Sequence, residues 1–170
     1  DYLPVEGLWE LREAVAAFHR RVDGVDVAAD GVVIGPGSKE LMFLTQLAFG
    51  GALVLPTPCW VSYGPQARIA GRPVERIVTQ AEARWRLTGA QLSAHCLAHG
   101  ARPRLLILNY PGNPDGDTYS ASELQDLATA ARRHGVIVLS DEIYGLTHHR
   151  GEHVSIARFY PEGTIISGGL

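Results

Sequence analysis

Short apolar runs alternate along the chain with amphipathic segments of helical spacing. Apolar stretches bounded by glycine, proline and polar clusters are typical of buried strands, and residues recurring every three or four positions are typical of helices. The predicted strands are 32–34, 52–55, 74–78, 105–108, 136–139 and 164–167, and the predicted helices are 8–21, 38–49, 60–70, 87–98 and 122–134. This alternation with short connections predicts an α/β fold, a mainly parallel sheet with helices on both faces.

Polar clusters follow two of these apolar runs. The octapeptide NYPGNPDG, Asn109 to Gly116, comes directly after run 105–108, and the pentapeptide SDEIY, Ser140 to Tyr144, comes directly after run 136–139. Because a predicted helix lies between them, the two strands should be parallel, and both clusters should lie at the same edge of the sheet. Ligands of open α/β sheets bind at this carboxyl edge.

Three polar residues of these clusters are candidates for binding a ligand. A carboxylate at the tip of a buried strand, as predicted for Asp141, needs a partner, which is either a structural ion pair or cap, or a protonated heteroaromatic nitrogen. Tyr144, three residues later, either packs at the surface or reaches the same ligand. Asn113 lies between Pro-Gly and Pro-Asp-Gly, whose restricted backbone predicts a tight bend that could direct its amide.

Further candidates follow other predicted strands. The segment Gly35-Pro36-Gly37-Ser38-Lys39 leads into a helix N-terminus, where free N–H groups favour an anion, although an ordinary glycine-rich turn fits equally well. Trp60, after Pro56-Thr57-Pro58, is either a core residue or an indole that stacks on a planar ring. His148, His149 and His153 lack the spacing of a metal site, and we expect no metal.

Composition restricts the function class. The chain has 170 residues, 46% of them apolar and 19% charged, with a net charge of −3. These values favour a folded domain and give no indication of nucleic acid or membrane partners. Cys59 and Cys96 form no metal or redox pattern, which favours a reducing cytoplasmic location. The chain contains 14 arginines and a single lysine, Lys39.

Together these segments resemble the large domain of fold-type I pyridoxal-5′-phosphate (PLP) enzymes, specifically class I/II aminotransferases. NYPGNPDG resembles the family's N-P-x-N-P-x-G turn, SDEIY matches its Asp-Glu-x-Tyr strand end, and YLPVEGLWELREAV resembles its opening tyrosine, glycine and Leu-Arg helix. The resemblance covers essentially the whole chain. It implies that the complete enzyme moves an amino group between an amino acid and a 2-oxo acid.

The resemblance assigns four residues to the cofactor ring. Asp141 is expected to pair with the pyridine nitrogen, which makes the ring an electron sink. Asn113 and Tyr144 are expected to hydrogen-bond the phenolic oxygen of the ring. Trp60 matches the aromatic residue that stacks on it.

The resemblance assigns another four residues to the cofactor phosphate. Gly37, Ser38 and Lys39 match the phosphate-binding turn. Tyr2 matches a tyrosine that reaches the phosphate from the neighbouring subunit, which implies a homodimer.

The family's Schiff-base lysine has no counterpart in the chain. Residues 166–170 resemble the approach to it, so we expect this lysine and the small domain to follow Leu170; Lys39 lies in the phosphate turn and is not assigned that role. Residues 1–170 are therefore interpreted as a partial, by itself inactive PLP-binding large domain, with 1–30 as an N-terminal turn and helix and 31–170 as the α/β core. The alternatives are another fold-type I enzyme (a C–S lyase, decarboxylase or synthase) and a non-catalytic remnant.

Overall fold

Five parallel strands form the centre of the fold in the computed structural model, which describes residues 2–149 and 151–169. The strands are β1 (Ala52–Thr57), β2 (Val74–Val78), β3 (Arg104–Asn109), β4 (Val136–Asp141) and β5 (Thr164–Ser167). The α-helices are α1 (Trp9–Val22), α2 (Ser38–Ala48), α3 (Tyr63–Ile69), α4 (Gly89–Ala98) and α5 (Ala121–His134). The strand order is β2-β1-β3-β4-β5, and every pairing is parallel.

Local sequence signals determine where the helices between the strands begin and end. In α4 the Thr88 hydroxyl accepts the N–H of Gln91, whose side chain accepts the N–H of Thr88. Ser120 and Glu123 form the same reciprocal capping box at the start of α5. Such boxes satisfy N–H groups that lack partners within the helix. Gly135 ends α5 with a φ of +62°, which glycine adopts without steric cost.

Helices cover both faces of the sheet, as predicted, with one apolar cluster on each face. The first cluster combines alternate residues of the central strands with apolar residues of α4 and α5: Val54, Leu106, Leu108, Val136, Val138, Leu92, Leu124 and Leu127. The second combines the intervening residues with α2 and α3: Leu53, Leu55, Leu105, Ile107, Leu139, Met42, Tyr63 and Ala67. The α/β class is therefore confirmed, and consecutive residues of each central strand serve opposite faces.

Several predicted boundaries differ from the structure. Residues 32–34 form no strand; the N–H of Ile34 donates to the carbonyl of Glu6 at 2.9 Å instead of joining the sheet. Strands β3 and β4 extend to include Asn109 and Asp141. Helix α3 begins at Tyr63 rather than Trp60. Leu170, at the end of the predicted approach to the lysine, lies outside the described residues.

Substitutions that make buried side chains of the central strands smaller should destabilise the fold. Ile107 is 2% exposed in β3, so we expect Ile107→Val to lower the free energy of unfolding by about 0.5–1.5 kcal/mol, since a buried methylene group is lost. Ile69→Val is the matched control, because Ile69 is 76% exposed. Urea unfolding of both variants measures the difference, and equal losses would contradict this assignment of the core.

The length and the apolar composition of the helices determine whether any of them could cross a membrane. Among residues 2–149 and 151–169, none of them combines the length and the apolar composition that crossing a bilayer requires.

Candidate functional site

The ends of β3 and β4 link two of the predicted site residues, Asn113 and Asp141, through the side chain of Asn109. Asn109 and Asp141 are register partners, and the Asn109 side chain donates to the carbonyl of Asp141 at 2.9 Å. The same side chain accepts the backbone N–H of Asn113 at 2.7 Å. Asn109, which the sequence did not indicate as a site residue, thus ties the Asn113 bend to the end of β4.

The carboxylate of Asp141 is buried and has one strong partner. Its side chain belongs to the face covered by α2 and α3, and the residue is 3% exposed. The hydroxyl of Tyr63 donates to Oδ2 at 2.5 Å, whereas Oδ1 receives the N–H of Ile143 at 3.4 Å, a long contact. Burial raises the pKa of Asp141 above its ordinary value, and the hydrogen bond from Tyr63 partly opposes this shift.

Trp60 contacts Tyr63, and Lys39 contacts Trp60. The Trp60 and Tyr63 rings meet edge to face, with 5.3 Å between their centroids. The ammonium nitrogen of Lys39 lies 5.2 Å from the centroid of the Trp60 ring, within the range of a cation–π contact. The predicted ring-stacking residue Trp60 therefore contacts Tyr63 of the Tyr63–Asp141 pair, and the chain's single lysine contacts Trp60.

The glycine turn at the start of α2 belongs to the same region. Gly37 occupies the N-cap position with a φ of +123°, and an added Cβ would meet no atom within 4 Å. Ser38 is the first helical residue rather than the N-cap, and no side-chain cap bond is present. Gln66 of α3 donates to the carbonyl of Lys39 at 3.0 Å and fixes this turn against α3. The first N–H groups of a helix such as α2 lack partners within the helix and could bind an anion.

Tyr144 and Tyr2 differ in their relation to this region. Tyr144 lies in the turn after β4, and its proximity contributes, after burial and Asp141, to raising the pKa of Tyr63. Tyr2 is fully exposed, and the described part of the chain does not bring it to Asp141. Its predicted role in a neighbouring subunit stays a prediction.

The groups present fit a flat, nitrogen-containing ring that carries an anionic substituent. Asp141 Oδ1 retains acceptor capacity, and the nearby turn at Gly37 offers N–H donors and open space. Ser167 is the register partner of Asp141 in β5, and its buried hydroxyl oxygen has no hydrogen-bond partner among the described residues. A buried polar atom without a partner is costly, so this hydroxyl is a further group that a ligand would satisfy.

A second polar cluster lies on the opposite face of the sheet, centred on Glu142. Its Oε1 accepts the hydroxyls of Ser140 and Ser155 at 2.7 Å and of Tyr110 at 3.2 Å, and its Oε2 accepts His153 Nε2 at 2.7 Å. The sequence indicated no role for Glu142, and His153 was considered only as a metal ligand. Side chains along a strand point alternately to the two faces of the sheet, so the sequence could have indicated that Asp141 and Glu142 lie on opposite faces.

Comparisons with known proteins show the family to which the chain is similar. A sequence model of the family described as aminotransferase class I and II matches residues 1–169. The chain belongs to this family. It is 35% identical over 176 residues to an aspartate aminotransferase of Geobacillus stearothermophilus, covering 99% of the chain and 44% of the relative. An aspartate/prephenate aminotransferase of Thermus thermophilus is 34% identical over 173 residues, with the same two coverages.

Solved aminotransferase structures share the fold. The structure of aspartate aminotransferase from Thermus thermophilus with maleate superimposes with a TM-score of 0.92 at 32% identity, covering 99% of the chain and 44% of that protein. An aromatic aminotransferase from Pyrococcus horikoshii gives a TM-score of 0.88 at 32% identity, covering 99% and 46%. The resemblance to class I/II aminotransferases is therefore confirmed, and the chain spans less than half the length of these aminotransferases.

Proposed function

We propose that the chain forms the cofactor-binding part of a PLP-dependent aminotransferase that moves an amino group between an amino acid and a 2-oxo acid. The observation that carries the proposal is the buried carboxylate of Asp141, held at the carboxyl edge of the sheet with one oxygen still able to accept a hydrogen bond. Membership of the aminotransferase family supports the same conclusion.

Asp141 is the residue we assign to the cofactor ring nitrogen. The cofactor, when bound, supplies a pyridine ring that takes up the electron pair released at the α-carbon of an amino acid. A negative Asp141 beside the ring nitrogen holds a proton on that atom, and shifting a pyridine-type pKa by two or three units requires about 3–4 kcal/mol. A charge-assisted hydrogen bond in a partly dry site provides an interaction of this kind.

The remaining residues orient the ring and neutralise the phosphate. Asn113, held by Asn109, and Tyr144, in the next turn, are assigned to the phenolic oxygen of the ring. Trp60 is assigned to one face of the ring.

Gly37, Ser38 and Lys39 are assigned to the phosphate, because a helix N-terminus and an ammonium group both favour an anion. We also infer a homodimer in which Tyr2 serves the neighbouring site, since Tyr2, Leu3 and Val5 are apolar and highly exposed. Two free cysteines are consistent with a cytoplasmic location.

Direct binding tests the proposal. Pyridoxamine 5′-phosphate carries the cofactor's ring and phosphate but no aldehyde, so it cannot react with the amine of Lys39. We expect calorimetry to give saturable binding with a Kd below about 1 mM, more favourable than about −4 kcal/mol. Pyridoxamine without the phosphate should bind at least about 10-fold more weakly, a difference of about 1.4 kcal/mol. No binding, or equal binding of both compounds, would contradict the proposed site.

A further inference from the structure

Tyr63 makes the shortest hydrogen bond to the carboxylate at the centre of the proposed site. It is 1% exposed at the first residue of α3, and its hydroxyl donates to Asp141 Oδ2 at 2.5 Å across 78 positions of sequence. Burying a phenol requires that its hydroxyl find a partner, and Asp141 is that partner.

The two oxygens of the Asp141 carboxylate differ in their hydrogen bonds. Oδ2 is occupied by Tyr63, whereas Oδ1 has only the long contact with the N–H of Ile143. A carboxylate fixed by one strong hydrogen bond loses its freedom to rotate, so Oδ1 presents its lone pairs in a defined direction. Ser167 is the register partner of Asp141 in the neighbouring strand β5.

The contact also affects where a shared proton resides. Burial raises the pKa of Asp141, and the bond from Tyr63 lowers it, so loss of that bond makes the carboxylate a stronger base. Burial and then the charge of Asp141 raise the pKa of Tyr63, so the phenol stays protonated and remains a donor at neutral pH. A proton shared between Asp141 and a ring nitrogen is therefore displaced towards the nitrogen by Tyr63.

We propose that Tyr63 is a positioning residue whose hydroxyl orients Asp141 and keeps the shared proton on the ring nitrogen of a bound pyridoxal-type cofactor. This inference rests on the proposed function. The edge-to-face contact of Tyr63 with Trp60 gives it a second role, since the same side chain then supports the residue assigned to the ring face and the residue assigned to the ring nitrogen.

Tyr63→Phe isolates the hydroxyl, because a phenyl ring retains the packing against Trp60. Pyridoxamine 5′-phosphate labelled with nitrogen-15 in the ring shows whether the ring nitrogen carries the proton. Its nitrogen-15 NMR chemical shift differs between protonated and neutral pyridine. Without the Tyr63 hydroxyl, the proton shared by the ring nitrogen and Asp141 should move towards the carboxyl group, because a hydrogen bond to a charged group is lost. We expect this equilibrium to shift by about 10-fold or more. The affinity should fall by about 10-fold, because the carboxylate then lacks the strong hydrogen bond that holds it in place for the ring nitrogen.

Three controls distinguish positioning from a general structural role. An analogue with CH in place of the ring nitrogen should bind Tyr63→Phe and the unchanged chain equally. Tyr160→Phe alters another buried tyrosine, which belongs to the apolar cluster on the opposite face, and should leave the nitrogen-15 shift unchanged. In an Asp141→Asn background, Tyr63→Phe should have no further effect, which a double-mutant cycle measures.

The outcomes separate this inference from the function on which it rests. If the unchanged chain fails to bind pyridoxamine 5′-phosphate, the proposed function fails. If the chain binds but Tyr63→Phe leaves the nitrogen-15 shift in place, or weakens the CH analogue equally, the positioning role is wrong and the binding site stands. A Tyr63→Phe chain that does not fold would make Tyr63 a folding residue and would likewise overturn the inference.

Discussion

Asp141→Asn is expected to weaken the binding of pyridoxamine 5′-phosphate by about 100-fold, or about 2.7 kcal/mol at 1.36 kcal/mol per tenfold change. Asparagine keeps the shape of the side chain and still accepts the hydroxyl of Tyr63, but it presents no negative charge to a protonated ring nitrogen. Charge-assisted hydrogen bonds are about twice as strong as neutral ones, and more so in a site with little water. Calorimetric titration of both proteins at neutral pH gives the ratio of the two Kd values.

The same substitution should stabilise the empty chain. Because burial raises the folded-state pKa of Asp141, its contribution to stability is fully present below the unfolded-state pKa and is lost as the pH rises through the folded-state value. At neutral pH the charged carboxylate is therefore unfavourable, and asparagine removes this cost. Urea unfolding should show Asp141→Asn to be more stable than the unchanged chain at pH 7, with the difference vanishing below about pH 4. A variant that loses both affinity and stability would indicate that Asp141 is a structural residue.

Glu142→Ala should have the largest effect on folding. The substitution removes the common acceptor of three buried hydroxyls, from Tyr110, Ser140 and Ser155, and of the imidazole of His153. Buried donors without an acceptor carry their full desolvation penalty, so the free energy of unfolding should fall by about 3–5 kcal/mol. The midpoint of urea unfolding at constant slope measures this loss.

Two further variants serve as controls for Glu142→Ala. Glu142→Gln retains one oxygen acceptor and should cost about 1–2 kcal/mol, less than alanine does. Glu13→Gln alters an exposed acidic residue of α1 and should stay within about 0.5 kcal/mol of the unchanged chain. Equal losses for Glu142→Ala and Glu13→Gln would show that the polar cluster does not contribute to stability.

The sequence predicted those parts of the fold that depend on short-range patterns. Runs such as 105–108 and 136–139 identify buried strands because both sheet faces require apolar residues, and the polar residues directly after them predict the ligand edge. Residues 32–34 have the same β-branched character but lack a neighbouring strand to pair with, and composition alone does not reveal that absence.

The missed site residues depend on contacts between distant segments. Tyr63 meets Asp141 across 78 positions, and Glu142 meets Ser155 across 13 with a turn between them, so no periodicity within one element indicates either pair. Asn109 begins the octapeptide, but its bonds to Asp141 and Asn113 depend on the register of β3 and β4, which the sequence does not show.

Adjacent acidic residues at the end of β4 make this strand intolerant of small changes in length. Asp141 points to the face covered by α2 and α3, and Glu142 points into the layer on the opposite face. Deleting or inserting one residue within β4 would turn each of these side chains to the opposite face, because side chains alternate along a strand. Descendants of this gene should therefore vary in the length of the loops around β4 while the spacing from Val136 to Glu142 stays fixed.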